Sequence, residues 1–283
     1  MAKIGDLLAD GRTFSFEFFP PKTDAGIVAL ERVLSDLAAL KPSYVSVTYG
    51  ALGSTRVGTR DLVIRINGEH PFPAMPHLTC IGHTEAELRS LMDEYRGAGI
   101  ENVLALAGDP PADGSDAPGD FTYATELVEL VRGSGDFGVG VAAFPEVHPR
   151  SPNRITDRRH LAAKLEAADF GMTTFFFEVD SYLRMRDELT ELGCTTPVVA
   201  GVMPFISVPG TRRMSAMNGT HIPDPLQARM DAVDGDPEAV RRLGVEVATE
   251  LCERLLDEDV SGLHLYSMNK ADSVTEIAAN LGF

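Results

Sequence analysis

The stretch that decides our interpretation runs from Thr13 to Lys22 and reads Thr-Phe-Ser-Phe-Glu-Phe-Phe-Pro-Pro-Lys. Read as a β-strand it alternates, so that Phe14, Phe16 and Phe18 share one face. Glu17 lies on the opposite face. Two consecutive prolines cannot continue a sheet ladder, so we expect the strand to end two or three residues after this glutamate. A carboxylate is therefore predicted at the carboxyl end of the first strand, with aromatic residues around it.

These predicted surroundings bear on the protonation of Glu17. Burial among aromatic side chains disfavours a charged carboxylate and would raise its pKa, as a general acid requires near neutral pH. A water-exposed glutamate on an edge strand is the alternative, and for an isolated glutamate it is the more common one. The pattern of the remaining strands favours the first interpretation.

Seven more apolar segments bounded by turn residues read as strands. They are Tyr44–Thr48, Ala74–Thr79, Asn102–Leu106, Val139–Phe144, Thr173–Glu178, Pro197–Val202 and Gly262–Tyr266. Helical patterns lie between them, and two of these open with capping-box sequences at Thr84–Glu87 and Ser273–Glu276. Asp180 and Asp236 are predicted to begin two others, whereas Phe205–Pro225 reads as an irregular excursion.

Strands and helices thus alternate eight times without a linker-like change in composition. This count and length predict an α/β protein, a single (β/α)8 TIM barrel whose one domain spans residues 1–283. A doubly wound open sheet is the alternative, but it rarely has so many regular units.

Composition restricts the function further. The net charge is −17, so neither a nucleic acid nor an anionic membrane surface is expected as a partner. The three cysteines are widely separated, which favours buried, reduced thiols. The sequence shows no signal-peptide core and no apolar run near the roughly 18 residues of a membrane helix. We therefore expect a cytoplasmic protein.

The active sites of such barrels lie at the carboxyl ends of the strands. Polar residues predicted there are Glu17, Thr48, His77, Thr79, Asp109, Glu146, His148, Glu178 and Asn269. The histidine spacing does not favour a metal site, and the sequence contains neither a nucleophile elbow nor a Gly-x-Gly-x-x-Gly fingerprint. What remains is an acid, a second carboxylate and a wide mouth, which suit acid-assisted chemistry on a flat polar heterocycle.

Several blocks of the chain together resemble the methylenetetrahydrofolate reductases. They are Phe14–Lys22, Val45–Gly50, Pro76–Cys80, Leu106–Asp109, Val141–Pro149 and Phe175–Phe177. The resemblance implies a (β/α)8 barrel that reduces 5,10-methylenetetrahydrofolate to 5-methyltetrahydrofolate with NAD(P)H, usually through FAD. It places the catalytic acid on Glu17, which would protonate N10 of the folate. It places a second acidic residue on Asp109, which would anchor the pterin and stabilise the cation that forms.

The flavin-binding residues of the family carry over only in part. Matching positions are Thr48, His77, Gly108, Asp109, Tyr123, Ala124, His148, Asp157 and Lys164. Phe144 and His160 stand where the family has Tyr and Asn, and Ala107 and Ala163 stand where it has Arg. A pyrophosphate would lose two guanidinium partners, for which Arg158 and Arg159 could compensate unless they are only a solvated face.

We therefore favour a flavin-free variant in which NADH passes hydride directly to the folate. A conventional FAD-dependent reductase is the alternative, and the choice between NADH and NADPH stays open.

On the folate side, the resemblance implies that Asp109, Thr174, Met214 and Lys270 bind the substrate. Thr174 replaces a Gln of the family, and Met214 aligns loosely with a Phe. These departures leave a non-catalytic folate-binding barrel as a further alternative. The expected partners are the tetrahydrofolate substrate and the nicotinamide dinucleotide, and the sequence is compatible with a homo-oligomer.

Overall fold

The structure is a computed structural model that describes residues 2–49, 56–108 and 119–283. Its eight strands form one closed barrel in chain order, and every neighbouring pair is parallel. The strands are β1 Thr13–Phe18, β2 Tyr44–Val47, β3 Ala74–Thr79, β4 Asn102–Leu106, β5 Gly138–Ala143, β6 Phe170–Thr173, β7 Val198–Val202 and β8 Gly262–Tyr266. The predicted (β/α)8 TIM barrel is confirmed.

Helices surround the barrel and cover one of its ends. They are α1 Ile4–Asp10, α2 Asp24–Ala38, α3 Arg56–Glu69, α4 Glu85–Gly97, α5 Ala124–Ser134, α6 Arg154–Glu166, α7 Val179–Glu191, α8 Val208–Asn218, α9 Asp224–Val233, α10 Pro237–Asp257 and α11 Asp272–Leu281. Within the described ranges, none of these helices is long and apolar enough to cross a membrane.

The alternation of β1 separates two layers of the molecule. Phe14, Phe16 and Phe18 belong to the large apolar core between the barrel wall and the helices. Ser15 and Glu17, on the opposite face, point into the barrel and bond to residues of neighbouring strands. The period of two in the first strand therefore sends the carboxylate inward.

The amino end of the barrel is closed by an apolar plug. Ile4, at the start of α1, is fully buried, and its backbone N–H donates to Oδ1 of Asn102 at 2.7 Å. Its apolar partners inside the barrel are Tyr44, Met75, Leu104, Phe170, Met172 and Val199. Because apolar side chains fill this end, we expect the polar side chains of a functional site at the carboxyl ends of the strands.

Local predictions failed at four places. β6 ends at Thr173, so Phe175–Phe177 lies after the strand rather than within it. The predicted irregular excursion contains α8 and the start of α9. Helix α7 begins at Val179 after the N-cap Glu178, and α11 begins at Asp272 without a side-chain cap. The capping box at Thr84 and the N-cap at Asp236 are confirmed.

Candidate active site

Strand register fixes what surrounds Glu17 inside the barrel. Glu17 aligns with Ser46 of β2 on one side and with Tyr266 of β8 on the other. Its side chain is 14% exposed, and Oε2 lies 3.3 Å from Nε2 of His77. Oε2 also accepts a long hydrogen bond of 3.5 Å from the hydroxyl of Ser46. The carboxylate therefore sits in a polar, water-poor setting at the mouth.

A buried histidine lies below the carboxylate. Nε2 of His264 is 3.6 Å from Oε2 of Glu17 and 3.2 Å from Oγ of Ser46. Its other ring nitrogen, Nδ1, is 2.8 Å from Oγ of Ser15. Burial lowers the pKa of His264, with Glu17 opposing that effect, so the imidazole is neutral near pH 7. These four residues form a continuous hydrogen-bonded column inside the barrel.

The predicted rise in the pKa of Glu17 is wrong. Burial does act to raise the pKa of this carboxyl group, as expected. The electrostatic influence of His77 and the close approach of the His264 and His77 rings together outweigh burial and lower the pKa to about 2. The sequence analysis assumed aromatic neighbours, whereas the inward face of the barrel supplies imidazoles and a hydroxyl group. Glu17 is therefore ionised when no substrate is bound.

One wall of the mouth is formed by Tyr266 at the end of β8. Its hydroxyl group donates to the backbone oxygen of Thr173 at 2.8 Å. The ring passes close to Gly201, where an added Cβ would lie 2.9 Å from the tyrosine oxygen. Burial raises the pKa of Tyr266 well above its ordinary value, and the charge of Glu17 adds to that effect. The phenol is thus a neutral hydrogen-bond donor beside the carboxylate.

Three predicted cofactor residues lie in or directly after strands β2, β3 and β4. His77 is in direct contact with the carboxylate. Thr48 follows β2, and its backbone N–H donates to the oxygen of Phe18 at 2.8 Å. Gly108 packs against Thr79 at the end of β3, with a φ of +91° that favours glycine.

A second group of predicted cofactor residues lies around the connection from β5 to α6. The ring of Phe144 packs edge-on against His148, with centroids 4.4 Å apart. Asp157 is buried, and its Oδ1 accepts from the backbone N–H of His148 at 3.1 Å and from Oγ of Ser151 at 2.8 Å. Nζ of Lys164 donates to the oxygen of Ala142 at 2.6 Å. Burial lowers the pKa of this lysine to about 8, although Asp157 opposes the change.

The last three cofactor candidates lie on or beside helices α5 and α6. Tyr123 is the N-cap of α5 and is 67% exposed, and Ala124 is the first residue of that helix. His160 is exposed on α6.

Arg158 has a structural role that the sequence pattern did not indicate. It is 3% exposed, which excludes a solvated helix face. Its guanidinium group pairs with Oδ2 of Asp157 at 2.6 Å and with Oε2 of Glu188 at 2.7 Å. It also donates to the backbone oxygens of residues 144, 145 and 146. The side chain therefore holds the β5–α6 connection together, and no donor is left over for a pyrophosphate.

The predicted substrate residues lie on three different connections. Thr174 follows β6 and donates its backbone N–H to the oxygen of Ala143 at 2.9 Å. Met214 is partly buried on α8, and Lys270 is exposed between β8 and α11. Asp109 lies outside the described residues.

The missed site residues had a usable signal. Ser46, His264 and Tyr266 occupy inward positions of β2 and β8, in the same alternation that places Glu17. Our candidates were polar residues at strand ends, so Ser46 and His264 within the strands were left out, and Tyr266 at the end of β8 was overlooked.

Comparison with known proteins assigns the family. The family model described as methylenetetrahydrofolate reductase matches residues 3–282. The chain belongs to the methylenetetrahydrofolate reductase family, a family of oxidoreductases. It is 36% identical to the 5,10-methylenetetrahydrofolate reductase of Pectobacterium carotovorum subsp. carotovorum over 95% of this chain and 89% of that protein.

Two further similarities extend the comparison. Methylenetetrahydrofolate reductase (NADH) 1 of Zea mays is 36% identical over 99% of this chain but 50% of its own length. A Clostridium thermocellum protein that binds two copies of 5-methyl-5,6,7,8-tetrahydrofolic acid superimposes with a TM-score of 0.67 at 13% identity, covering 97% of this chain and 96% of that one. At that identity the structural likeness shows the barrel fold alone.

Proposed function

We propose that this protein reduces 5,10-methylenetetrahydrofolate to 5-methyltetrahydrofolate, with NADH as the hydride donor. Membership of the family supports the reaction, and the position of Glu17 beside His77 at the barrel mouth is the observation that carries the proposal. The name of the maize relative supports NADH over NADPH. NADH and 5,10-methylenetetrahydrofolate are the substrates, and NAD⁺ and 5-methyltetrahydrofolate are the products.

The proton is delivered through Glu17 in this proposal. In this proposal Glu17 and His77, whose Oε2 and Nε2 lie 3.3 Å apart, act as a pair between which the catalytic proton moves. When a bound folate excludes water, a charged pair loses more solvation than a neutral one, so the proton shifts toward the carboxylate. Glu17 then donates to N10, and the bond between N10 and the methylene carbon breaks. The product of this step is a cationic 5-iminium group on the folate.

Hydride transfer completes the reaction. The dihydronicotinamide passes a hydride from its C4 to the methylene carbon, which gives the methyl group and NAD⁺. One proton and one hydride are consumed for each folate, so the reaction balances without another reactant. A proton from solvent at the barrel mouth restores Glu17 for the next turnover, because the column of Ser46, His264 and Ser15 below it is buried.

The contacts of two described residues that the resemblance assigns to the flavin support a site without it. Asp157 is bonded to Arg158, Ser151 and the backbone of His148, and Lys164 donates to a strand carbonyl. The side chains of Asp157 and Lys164 are thus used within the fold, and Ala107 and Ala163 stand where the family has Arg. We infer that hydride passes directly between the two substrates, while the conventional FAD-dependent route is the competing proposal.

An isotope experiment separates these routes. The purified protein is mixed with methylenetetrahydrofolate and NADH deuterated at C4 on one face or the other. We expect one of the two isotopomers to give 5-methyltetrahydrofolate that retains a full deuterium in its methyl group, measured by mass spectrometry. Loss of deuterium to water during turnover, together with a flavin absorption spectrum, would contradict the direct route. Absence of the methyl product with both isotopomers would contradict the reaction itself.

A further inference from the structure

The connection that follows β8 has an unfavourable backbone conformation. Met268 and Asn269 are consecutive, and both lie in the left-handed region with φ of 52° and 54°. A side chain with a Cβ rarely adopts this region, although asparagine tolerates it better than methionine. Strain of this kind persists only where other contacts over-determine it, and it concentrates at functional sites. The contacts made by this segment are therefore informative.

The side chain of Asn269 takes the place of a strand partner. Its Oδ1 accepts from the backbone N–H of Phe19 at 3.0 Å, and its Nδ2 donates to the backbone oxygen of Phe19 at 2.7 Å. Strand β1 stops at this point because Pro20 and Pro21 cannot continue the ladder. The carboxamide supplies the two hydrogen bonds that a neighbouring backbone would otherwise make.

Ser267 holds the other side of the same turn. Its hydroxyl group donates to the backbone oxygen of Glu17 at 2.6 Å, and its backbone N–H donates to that oxygen at 3.3 Å. The N–H of Asn269 in turn donates to Oγ of Ser267 at 3.2 Å. Together these bonds hold the main chain of β1 on both sides of Phe18.

We infer that Ser267 and Asn269 are positioning residues that fix Glu17 for proton transfer. The inference rests on the proposed function, in which Glu17 donates the proton. Neither side chain needs to touch the folate, because both act on the backbone that carries the carboxylate. Release of this clamp lets the end of β1 move, and Oε2 of Glu17 then moves relative to Nε2 of His77 and to N10 of the substrate.

The test uses Asn269→Gly, because glycine keeps the left-handed backbone and removes only the carboxamide. Lys41→Gly is the matched control, since Lys41 is an exposed left-handed residue with φ of 50° in the connection before β2. We expect Asn269→Gly to lower kcat by about 10- to 100-fold, as small misplacements of catalytic groups do. The KM for folate should change little, and the carboxyl pKa of Glu17, followed by carbon NMR, should move. Lys41→Gly should change neither kcat nor the pKa of Glu17.

The outcomes distinguish the clamp from the reaction. If Glu17→Gln is inactive while Asn269→Gly matches the control in kcat and in the pKa of Glu17, the clamp is wrong and the proposed function stands. If the wild type forms no 5-methyltetrahydrofolate, the proposed function fails. If Glu17→Gln retains full turnover, proton donation by Glu17 is wrong although the reaction stands, and an unchanged Glu17 pKa in Asn269→Gly then overturns the clamp as well. Should Asn269→Gly not fold, Ser267→Ala removes one clamp bond and must show the same loss of kcat and the same pKa change.

Discussion

Oε2 of Glu17 lies 3.3 Å from Nε2 of His77, across the mouth of the barrel, although the two residues belong to β1 and β3. This pair explains why a carboxyl group with little access to water stays ionised. Burial alone would raise the pKa of Glu17, and the nearby imidazoles of His77 and His264 reverse the result. In the proposed mechanism, the catalytic proton therefore depends on both Glu17 and His77.

Removing the imidazole should expose the effect of burial. In His77→Asn, we expect the pKa of Glu17 to rise. Burial is the largest influence on this pKa, and the substitution removes His77, the main influence that opposes it. Carbon NMR titration of the glutamate side chains measures this directly. The control is His70→Asn, a substitution at the residue that follows α3, and it should leave the pKa of Glu17 unchanged. A Glu17 pKa that stays near 2 in His77→Asn would contradict the role given to the pair.

The Glu17–His77 relationship also marks the limit of sequence reasoning. The alternation in β1 and the prolines after it predicted correctly that Glu17 lies opposite Phe14, Phe16 and Phe18, near the carboxyl end of the strand. The prediction of a raised pKa failed because the pKa of Glu17 depends on His77 and His264. Barrel closure and strand register, rather than proximity in the chain, bring these residues to Glu17.

Other parts of the chain also differ between what the local pattern predicts and what only the folded structure determines. The β6 prediction followed apolar composition, but Phe175 and Phe176 are buried in the connection after the strand. Helices α8 and α9 were hidden by proline and glycine, which here occupy the first turn and the C-cap, where helices accept them. Arg158 looked like a surface residue because its buried acceptors are mostly backbone carbonyls, which a sequence pattern does not reveal.

The lowered pKa of Glu17 also predicts a pH dependence of stability. Its folded-state pKa lies below the ordinary value of 4.5, so ionisation stabilises the folded protein above pH 4.5. That contribution is lost as pH falls from 4.5 toward 2, and it is at most about 3 kcal/mol. Urea unfolding at a series of acidic pH values should show a steeper loss for the wild type than for Glu17→Gln. Parallel curves for the two proteins would contradict the lowered pKa.

Arg158 is predicted to contribute strongly to stability. Arg158→Met leaves Asp157 buried without its partner, and breaking a buried pair costs about 3–5 kcal/mol. The neighbouring Arg159 is exposed on the same helix, so Arg159→Met should change the free energy of unfolding by no more than about 0.5 kcal/mol. Denaturant unfolding of the two variants measures the difference. Equal stability of both would show that the buried network is not needed.

Gly201 is predicted to be required for the position of Tyr266. An added Cβ would lie 2.3 Å from the oxygen of Thr173 and 2.9 Å from the hydroxyl of Tyr266, so Gly201→Ala must displace them. We expect a loss of about 1–3 kcal/mol in stability. Gly133→Ala in α5 meets nothing within 4 Å and should instead stabilise the protein by about 0.4–1 kcal/mol. Thermal unfolding compares them, and a Gly201→Ala protein as stable as wild type would refute the close approach.

The most direct test of the account is the turnover of Glu17→Gln with methylenetetrahydrofolate and NADH. Glutamine keeps the size of the side chain but cannot donate the proton to N10, so kcat should fall by about 100-fold or more. Circular dichroism should show an intact fold, and Glu129→Gln, an exposed substitution on α5, should keep normal turnover. Near-normal turnover in a folded Glu17→Gln protein would contradict proton donation by Glu17.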